Sequence, residues 1–409
     1  MIQSQGEIKR LLQQKIFGHK DVKTFNPYSQ AVFSKLAKCH TIGLGVHTYR
    51  CDNAACNHVH HQYHCCGDRH CPNCGGAKRD QWIDDRMGEL LPIQYFHVVF
   101  TLPSEFNSLV MGNRALLYNQ LFSSAHYTLL KLGKDEKWLG AKLGIVSILH
   151  THGQDLSFHP HVHCIVSGGG VDAEGKWKYL HRKDGFLFPR RVMEKMYKAH
   201  FLVSIERMLG DGDIQFTSAQ DILAMLHDVS YKKWNVYAKA PFAGPAQDLP
   251  RLVGVIEYLG RYTHKVAITS HRITEITDHT ITFKYKDYKD GNKQKLMTLS
   301  HTEFLRRYEQ HILPRNFVKI RHSGYLSPRD KTLRIKDIYA QLQLPPPMPK
   351  TTTPIRLRLL VKTGIDIAIC PVCKTGKMIY EQTLVMHNGR LIETNFTRNK
   401  GSPSMLISR

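Results

Sequence analysis

Apolar residues recur along the chain with two different periods, and the period assigns each stretch to a strand or a helix. Short runs rich in Val, Ile, Phe and Thr, bounded by turn residues, predict strands at 95–102, 144–150, 161–167, 266–272 and 280–284. Apolar spacing of three and four residues predicts helices across 106–132, 192–209 and 251–262. Gly168-Gly169-Gly170 reads as a flexible break after the third strand, and residues 287–293 as a turn. Strands and helices mixed without strict alternation favour an α+β fold with antiparallel pairs.

Charge narrows the class of partner. Lys and Arg number 57 against 34 Asp and Glu, a net +23 before any of the 25 His protonates, so a polyanion is the expected partner. A membrane is not expected, because no run of about 18 apolar residues occurs and residues 1–20 are polar apart from Ile8, Leu11, Leu12 and Ile16. With 42% hydrophobic and 22% charged residues the chain is ordinary globular material rather than disordered. A cytosolic protein is expected, and there its 10 Cys point to metal before disulfides.

Seven of those Cys, namely 39, 51, 56, 65, 66, 71 and 74, fall in one early stretch with little apolar material, so metal must supply folding energy there. Cys51-x4-Cys56 and Cys71-x2-Cys74 have the spacing of two Cys turns around one tetrahedral Zn²⁺. Cys66, His47, His64 and His70 are alternatives that could complete a second site or displace one of these four. A shell of four thiolates has no open position, so this zinc is structural. Cys370-x2-Cys373 is half a zinc ribbon whose partners are His387 or a distant part of the chain.

Histidines alternate in Phe158-His159-Pro160-His161-Val162-His163-Cys164. Alternation sets them on one strand face about 6.8 Å apart, so two neighbours can converge on one cation. His159 and His163, at about twice that separation, cannot both do so without a bend, which Pro160 could supply. Imidazoles with open positions suit a divalent ion that polarises a phosphate. The third ligand is left between His152, Gln154 and His159. Farther on, Tyr258 and Tyr262 lie one turn apart on the predicted helix, two phenols on one face. A free phenol, with a pKa of about 10, is a poor nucleophile at neutral pH, so Arg261, His264 and Lys265 are candidates to activate it.

Together these motifs resemble the rolling-circle transposases of the insertion sequence 91 family, which belong to the HUH (His-hydrophobic-His) endonucleases. The resemblance spans most of the chain: Arg69-His70-Cys71-Pro72-Asn73-Cys74, Phe96-His97-Val98-Val99-Phe100-Thr101-Leu102-Pro103, the His strand with its Gly triplet, Tyr258-Leu259-Gly260-Arg261-Tyr262-Thr263-His264, Ile320-Arg321-His322-Ser323-Gly324-Tyr325 and Cys370-Pro371-Val372-Cys373. Two tyrosines resemble the two-tyrosine branch. One departure is the first Cys pair, spaced by four residues where two is more usual.

The resemblance implies an HUH-type antiparallel sheet flanked by helices, a zinc-binding DNA-recognition domain at 1–90, a nuclease and strand-transfer domain at 91–300, and a basic region at 301–409. It implies Mg²⁺ or Mn²⁺ at His161 and His163, structural Zn²⁺, and catalytic Tyr258 and Tyr262. Single-stranded element ends, hairpins included, and target DNA are the implied partners of a bacterial, nucleoid-associated enzyme. Arg261, Lys265 and Arg321 are the expected DNA contacts, Arg321 within a stretch (304–363) that holds 13 Lys and Arg against three acids. A plasmid replication initiator or relaxase would use the same His strand and tyrosines; a zinc DNA-binding regulator would use neither.

Overall fold

In the computed structural model, which describes residues 3–87, 89–180, 187–216, 218–239, 267–288, 290–346 and 354–394, strand β3 (Tyr95–Thr101) is buried along nearly its whole length. A strand covered on both faces belongs inside a sheet. It lies between β5 (Phe158–Val171) and β7 (Val236–Lys239), in the order β11 (Ile320–Gly324), β4 (Lys142–His152), β5, β3, β7, with β6 (Trp177–Tyr179) paired to β5. All these pairings are antiparallel.

One face of this sheet carries Phe96, Val98, Phe100, Val162, Cys164 and Val166, all buried in the main core. Against it pack α5 (Arg114–Lys134) and α6 (Arg190–Gly210). Their buried positions, Leu117, Leu121, Ala125, Leu129 and Leu132 on α5 and Met193, Tyr197, Phe201, Ile205 and Met208 on α6, recur at three and four residues as an apolar stripe requires. Trp234, just before β7, closes this core with its indole N–H donating to the Val229 carbonyl at 3.0 Å, at the end of α7 (Ala219–Tyr231). On the other face, toward one end, Leu91, Tyr95, Ile148, Ile165, Tyr325 and Ile335 form a smaller cluster joined by Trp82 of α3 (Gly76–Met87).

These elements belong to one compact unit, 77–267 with 310–350; the second comprises 1–76, 268–309 and 351–409. The second unit contains α1 (Gln5–Leu11), α2 (Pro27–Ala37) and the helix His301–Glu309. Its four-stranded sheet runs β13 (Arg390–Glu393), β12 (Met378–His387), β1 (Val46–Cys51), β2 (Val59–Tyr63), and its three-stranded sheet β10 (Lys293–Ser300), β9 (Thr280–Asp287), β8 (Ile273–Ile276). An aromatic group of Phe17, Phe33 and Tyr308, with ring centroids 5.4 to 5.9 Å apart, ties the first helices to His301–Glu309.

The α+β class with antiparallel sheets is as expected, but the units do not follow the consecutive boundaries 1–90, 91–300 and 301–409. The reason is long-range pairing: β12 joins β1, and β11 joins β4. The basic stretch 304–363 is accordingly divided between the units. The helix expected across 106–132 is interrupted at Asn113, which separates α4 (Asn107–Gly112) from α5. Its side chain donates to the carbonyls of Leu109 and Gln215 at 3.0 and 2.8 Å. The strand expected at 266–272 starts only at Ile273, after a turn over Ser270–Arg272. The helix expected at 251–262 lies outside the described residues.

The Gly triplet is not a break, since Gly168, Gly169 and Gly170 continue β5. Glycine is needed there for close approach: a Cβ on Gly169 would lie 2.5 Å from the Trp177 ring, and one on Gly170 2.7 Å from the Lys142 carbonyl oxygen. A flexible break would tolerate Gly169→Ala or gain from it. The packed strand is instead expected to lose about 1–3 kcal/mol, as overpacked sites do. Urea denaturation measures this, and an unchanged midpoint would restore the flexible-break reading.

Candidate active site and metal centres

Three imidazoles meet at the end of β4 and β5. His150, His161 and His163 offer ring nitrogens that all lie within 4.8 Å of one another. Residues paired across an antiparallel ladder share a face, and His150 is paired with His161 while Ile148 is paired with His163. Ring centroids are 5.4 Å apart for His150 and His161, 4.5 Å for His150 and His163, and 4.9 Å for His161 and His163. His150 and His163 are buried, whereas His161 is partly open to solvent.

The surroundings fix the rings. The His161 Nδ1–H donates to the His159 carbonyl at 2.6 Å. Since a carbonyl only accepts, Nε2 is the lone-pair nitrogen of the neutral His161 ring. His163 Nδ1 shares a proton with His97 Nε2 at 2.8 Å, the two rings lying nearly parallel. Ring hydrogen bonds of this kind orient metal-binding histidines. The arrangement suits a divalent ion with open positions.

Neither His152 nor His159 joins this group of ring nitrogens. A register shift between His150 and His152 pairs His152 with Phe158, and a shift of this kind re-aims side chains. Gln154 falls in the turn that the Gly153 N–H closes onto the Ser157 carbonyl at 2.9 Å. His159 is exposed, its ring 5.1 Å from His161. His150 was missed by the sequence reading, although the hairpin implied by two strands around a short turn would have set it opposite His161. Tyr258, Tyr262, Arg261 and Lys265 lie outside the described residues. Arg321 is on the other face of the sheet: it pairs with Ser147, its guanidinium is stacked 4.2 Å from the Phe122 centroid, and it donates to Asn119.

The cysteines sort differently from their spacing. Cys71 and Cys74 gather with Cys39 and Cys66, not with Cys51 and Cys56. Cys39 follows α2, Cys66 follows β2, and the loop into α3 brings the remaining two. Sulfurs are 3.6 Å apart for Cys39 and Cys71 and 3.7 Å for Cys66 and Cys74. Four ligands at a Zn–S distance of about 2.3 Å stand about 3.8 Å from one another at the corners of a tetrahedron. Hydrogen bonding within the cluster pushes Cys74 below and Cys39 and Cys71 above the ordinary thiol range, whereas zinc binds all four as thiolates. Cys51 and Cys56 gather instead with Cys370 and Cys373. Arg50 is paired with Glu381 at 2.9 Å, Arg79 with Asp80 at 3.0 Å and Arg86 with Glu89 at 2.9 Å.

Residues 9–102 match a family model described as a transposase zinc-binding domain, and residues 144–333 match one described as "Putative transposase". The chain is 39% identical over 360 residues to "Putative transposase y4qJ" of Sinorhizobium fredii, covering 85% of this chain and 87% of that protein. It is 30% identical over 357 residues to the "Transposase for insertion sequence element IS801" of Pseudomonas savastanoi pv. phaseolicola, covering 85% and 82%. No solved structure gives a significant match. Among the described residues no helix is long and apolar enough to cross a membrane.

The two adjacent thiols Cys65 and Cys66 separate the zinc assignment from a general need for cysteine. Cys65 is exposed and outside the set of four, whereas Cys66 is within it. Cys65→Ser is expected to keep the zinc content of the unsubstituted protein, and Cys66→Ser to lose one zinc, measured by atomic emission on gel-filtered protein.

Proposed function

The chain belongs to the insertion sequence 91 family of transposases, and from that premise we propose that it cleaves and rejoins single-stranded DNA through 5′-phosphotyrosine intermediates in rolling-circle transposition. The observation that carries this reading is the trio His150, His161 and His163, three imidazoles converging at the end of one sheet face. Three imidazoles can hold a divalent ion with open positions; the family resemblance implies Mg²⁺ or Mn²⁺, which when bound would polarise the scissile phosphate and offset the charge that builds on it.

The chain's own residues supply the rest. Tyr258 or Tyr262 attacks phosphorus; the phenolic O–P bond forms, the P–O3′ bond breaks, and the proton lost by the phenol ends on the 3′-oxygen. Arg261, His264 and Lys265, close to both tyrosines in sequence, are the candidates to activate the phenol. A phosphotyrosine retains the energy of the phosphodiester, so the joining step, in which a 3′-OH displaces the tyrosine, requires no nucleotide cofactor. Two tyrosines permit an element end and a target to be held at once. His97, hydrogen-bonded to His163, keeps that ring in the orientation the site uses.

Affinity comes from elsewhere on the protein. The net charge of +23 supports a sequence-independent grip on phosphates, and the zinc-binding domain, whose thiolate shell has no open position, supports recognition rather than chemistry. Arg321, on the opposite sheet face from the histidines, has no part in phosphate positioning at the metal in this scheme.

The test is covalent capture: protein, single-stranded element-end DNA and Mg²⁺, resolved on a denaturing gel. A band of protein joined to DNA is expected for the unsubstituted chain and for at least one of Tyr258→Phe and Tyr262→Phe, while the double substitution is expected to give none. Phenylalanine keeps the ring and deletes the nucleophile. A double variant that still forms the adduct would mean another nucleophile and would remove this mechanism.

A further inference from the structure

The second group of thiols has no place in the chemistry above. Cys51 and Cys56 flank the turn after β1, whereas Cys370 and Cys373 precede β12, more than 300 residues later in the sequence. The zinc-binding match at 9–102 contains only half of this set. We propose that Cys51, Cys56, Cys370 and Cys373 hold a second structural Zn²⁺, which fastens the C-terminal hairpin β12–β13 to β1.

Three independent features of the geometry support it. First, all four sulfurs lie within 4.8 Å of one another, with Cys51 and Cys373 at 3.7 Å and Cys56 and Cys370 at 3.8 Å. These separations match the edges of a zinc tetrathiolate, about 3.8 Å, and are far longer than a disulfide of about 2.05 Å.

Second, both halves are turns of the kind that present two thiols to one point. In the C-terminal half the Lys374 N–H donates to the Cys370 carbonyl at 3.1 Å, the Cys370 N–H to the Gly376 carbonyl at 2.8 Å, and the Gly376 N–H to the Cys373 sulfur at 3.2 Å. A Cβ on Gly376 would collide with the Cys51 sulfur, so the glycine makes room for the opposing thiol. In the N-terminal half the Cys56 N–H donates to the Asn53 carbonyl at 2.9 Å, and Asn57 adopts a positive φ of 44°. The halves are stitched to each other: the Lys377 N–H donates to Asp52 Oδ1 at 2.7 Å, and the Asp52 N–H to the Lys377 carbonyl at 3.0 Å.

Third, the thiols sit in a small shell of Tyr49, Met378 and Tyr380 that is too thin to hold two remote segments together by burial alone. On binding, each thiol gives up its proton to solvent, and four thiolates close the shell against any substrate. The ladder of β1 with β12 closes the same long loop, and a metal shell at the end of that ladder adds to its closure where burial is small.

The test uses the full chain. Zinc is exchanged for Co²⁺ and the thiolate-to-cobalt charge-transfer absorption is read, a band to which histidine sites do not contribute. Cys370→Ser with Cys373→Ser is expected to halve the band and remove one zinc per chain, as is Cys66→Ser with Cys71→Ser. An undiminished band after the first pair of substitutions overturns the proposal. Should that variant fail to fold, alkylation of the unsubstituted native protein decides, read at Cys56 and Cys373, which are only partly buried. Both are expected to be protected while metal is bound and to react after chelation, with exposed Cys65 reactive throughout. If Cys56 and Cys373 react as fast as Cys65 in the metal-loaded protein, the second zinc does not exist.

Discussion

The register of β4 against β5 is the constraint on which the candidate active site depends. It sets His150 across from His161 and Ile148 across from His163. In a strand a slip of one residue turns every side chain to the other face: a slip of β4 would turn His150 into the main core and expel Leu149, and a slip of β5 would turn in His161 and His163 and expel Val162, Cys164 and Val166. Burying a large apolar side chain is worth about 1.5–3 kcal/mol, so the register is enforced by the side of the sheet that takes no part in chemistry. The helices α5 and α6 thus act on the histidines through the strands they cover.

The unit built from 1–76, 268–309 and 351–409 solves a different problem. Its sheets are small, and several of its strands are exposed at alternate or successive positions, as in β10 and β13. Thiol clusters take over where apolar burial is thin, because a metal shell binds segments with a few side chains rather than a wide face. This is why four cysteines contributed by two connections, Cys39 after α2 and Cys66, Cys71 and Cys74 between β2 and α3, can organise the stretch between those helices, and why pairing of β1 with β12 can join distant parts of one chain.

How much of this was legible in the sequence follows from the range of each interaction. His161 and His163 could be recognised because alternation is a local property of a strand, and α5 and α6 because their apolar stripes repeat within a few residues. His150 could not be recognised from its own strand, because its place opposite His161 follows only from pairing the two predicted strands as a hairpin. The cysteines show the same limit: spacing suggested that Cys51 and Cys56 would join Cys71 and Cys74, yet spacing carries no information on which turn meets which. The Gly triplet failed for a related reason, since glycine marks a flexible link and a tight approach of backbone to a tryptophan with the same letters. Tyr258 and Tyr262 rest on the sequence and its family resemblance, being outside the described residues.

The central claim is that His150, His161 and His163 together hold the cation that handles the scissile phosphate. Pulsed electron paramagnetic resonance of Mn²⁺ bound to the full-length protein tests it most directly, because imidazole nitrogens couple to the manganese electron spin. The account predicts nitrogen couplings from three imidazoles, reduced by one in His150→Ala and unchanged in His152→Ala. Couplings from two imidazoles that are indifferent to His150→Ala, or Mn²⁺ bound with no nitrogen coupling at all, would contradict it.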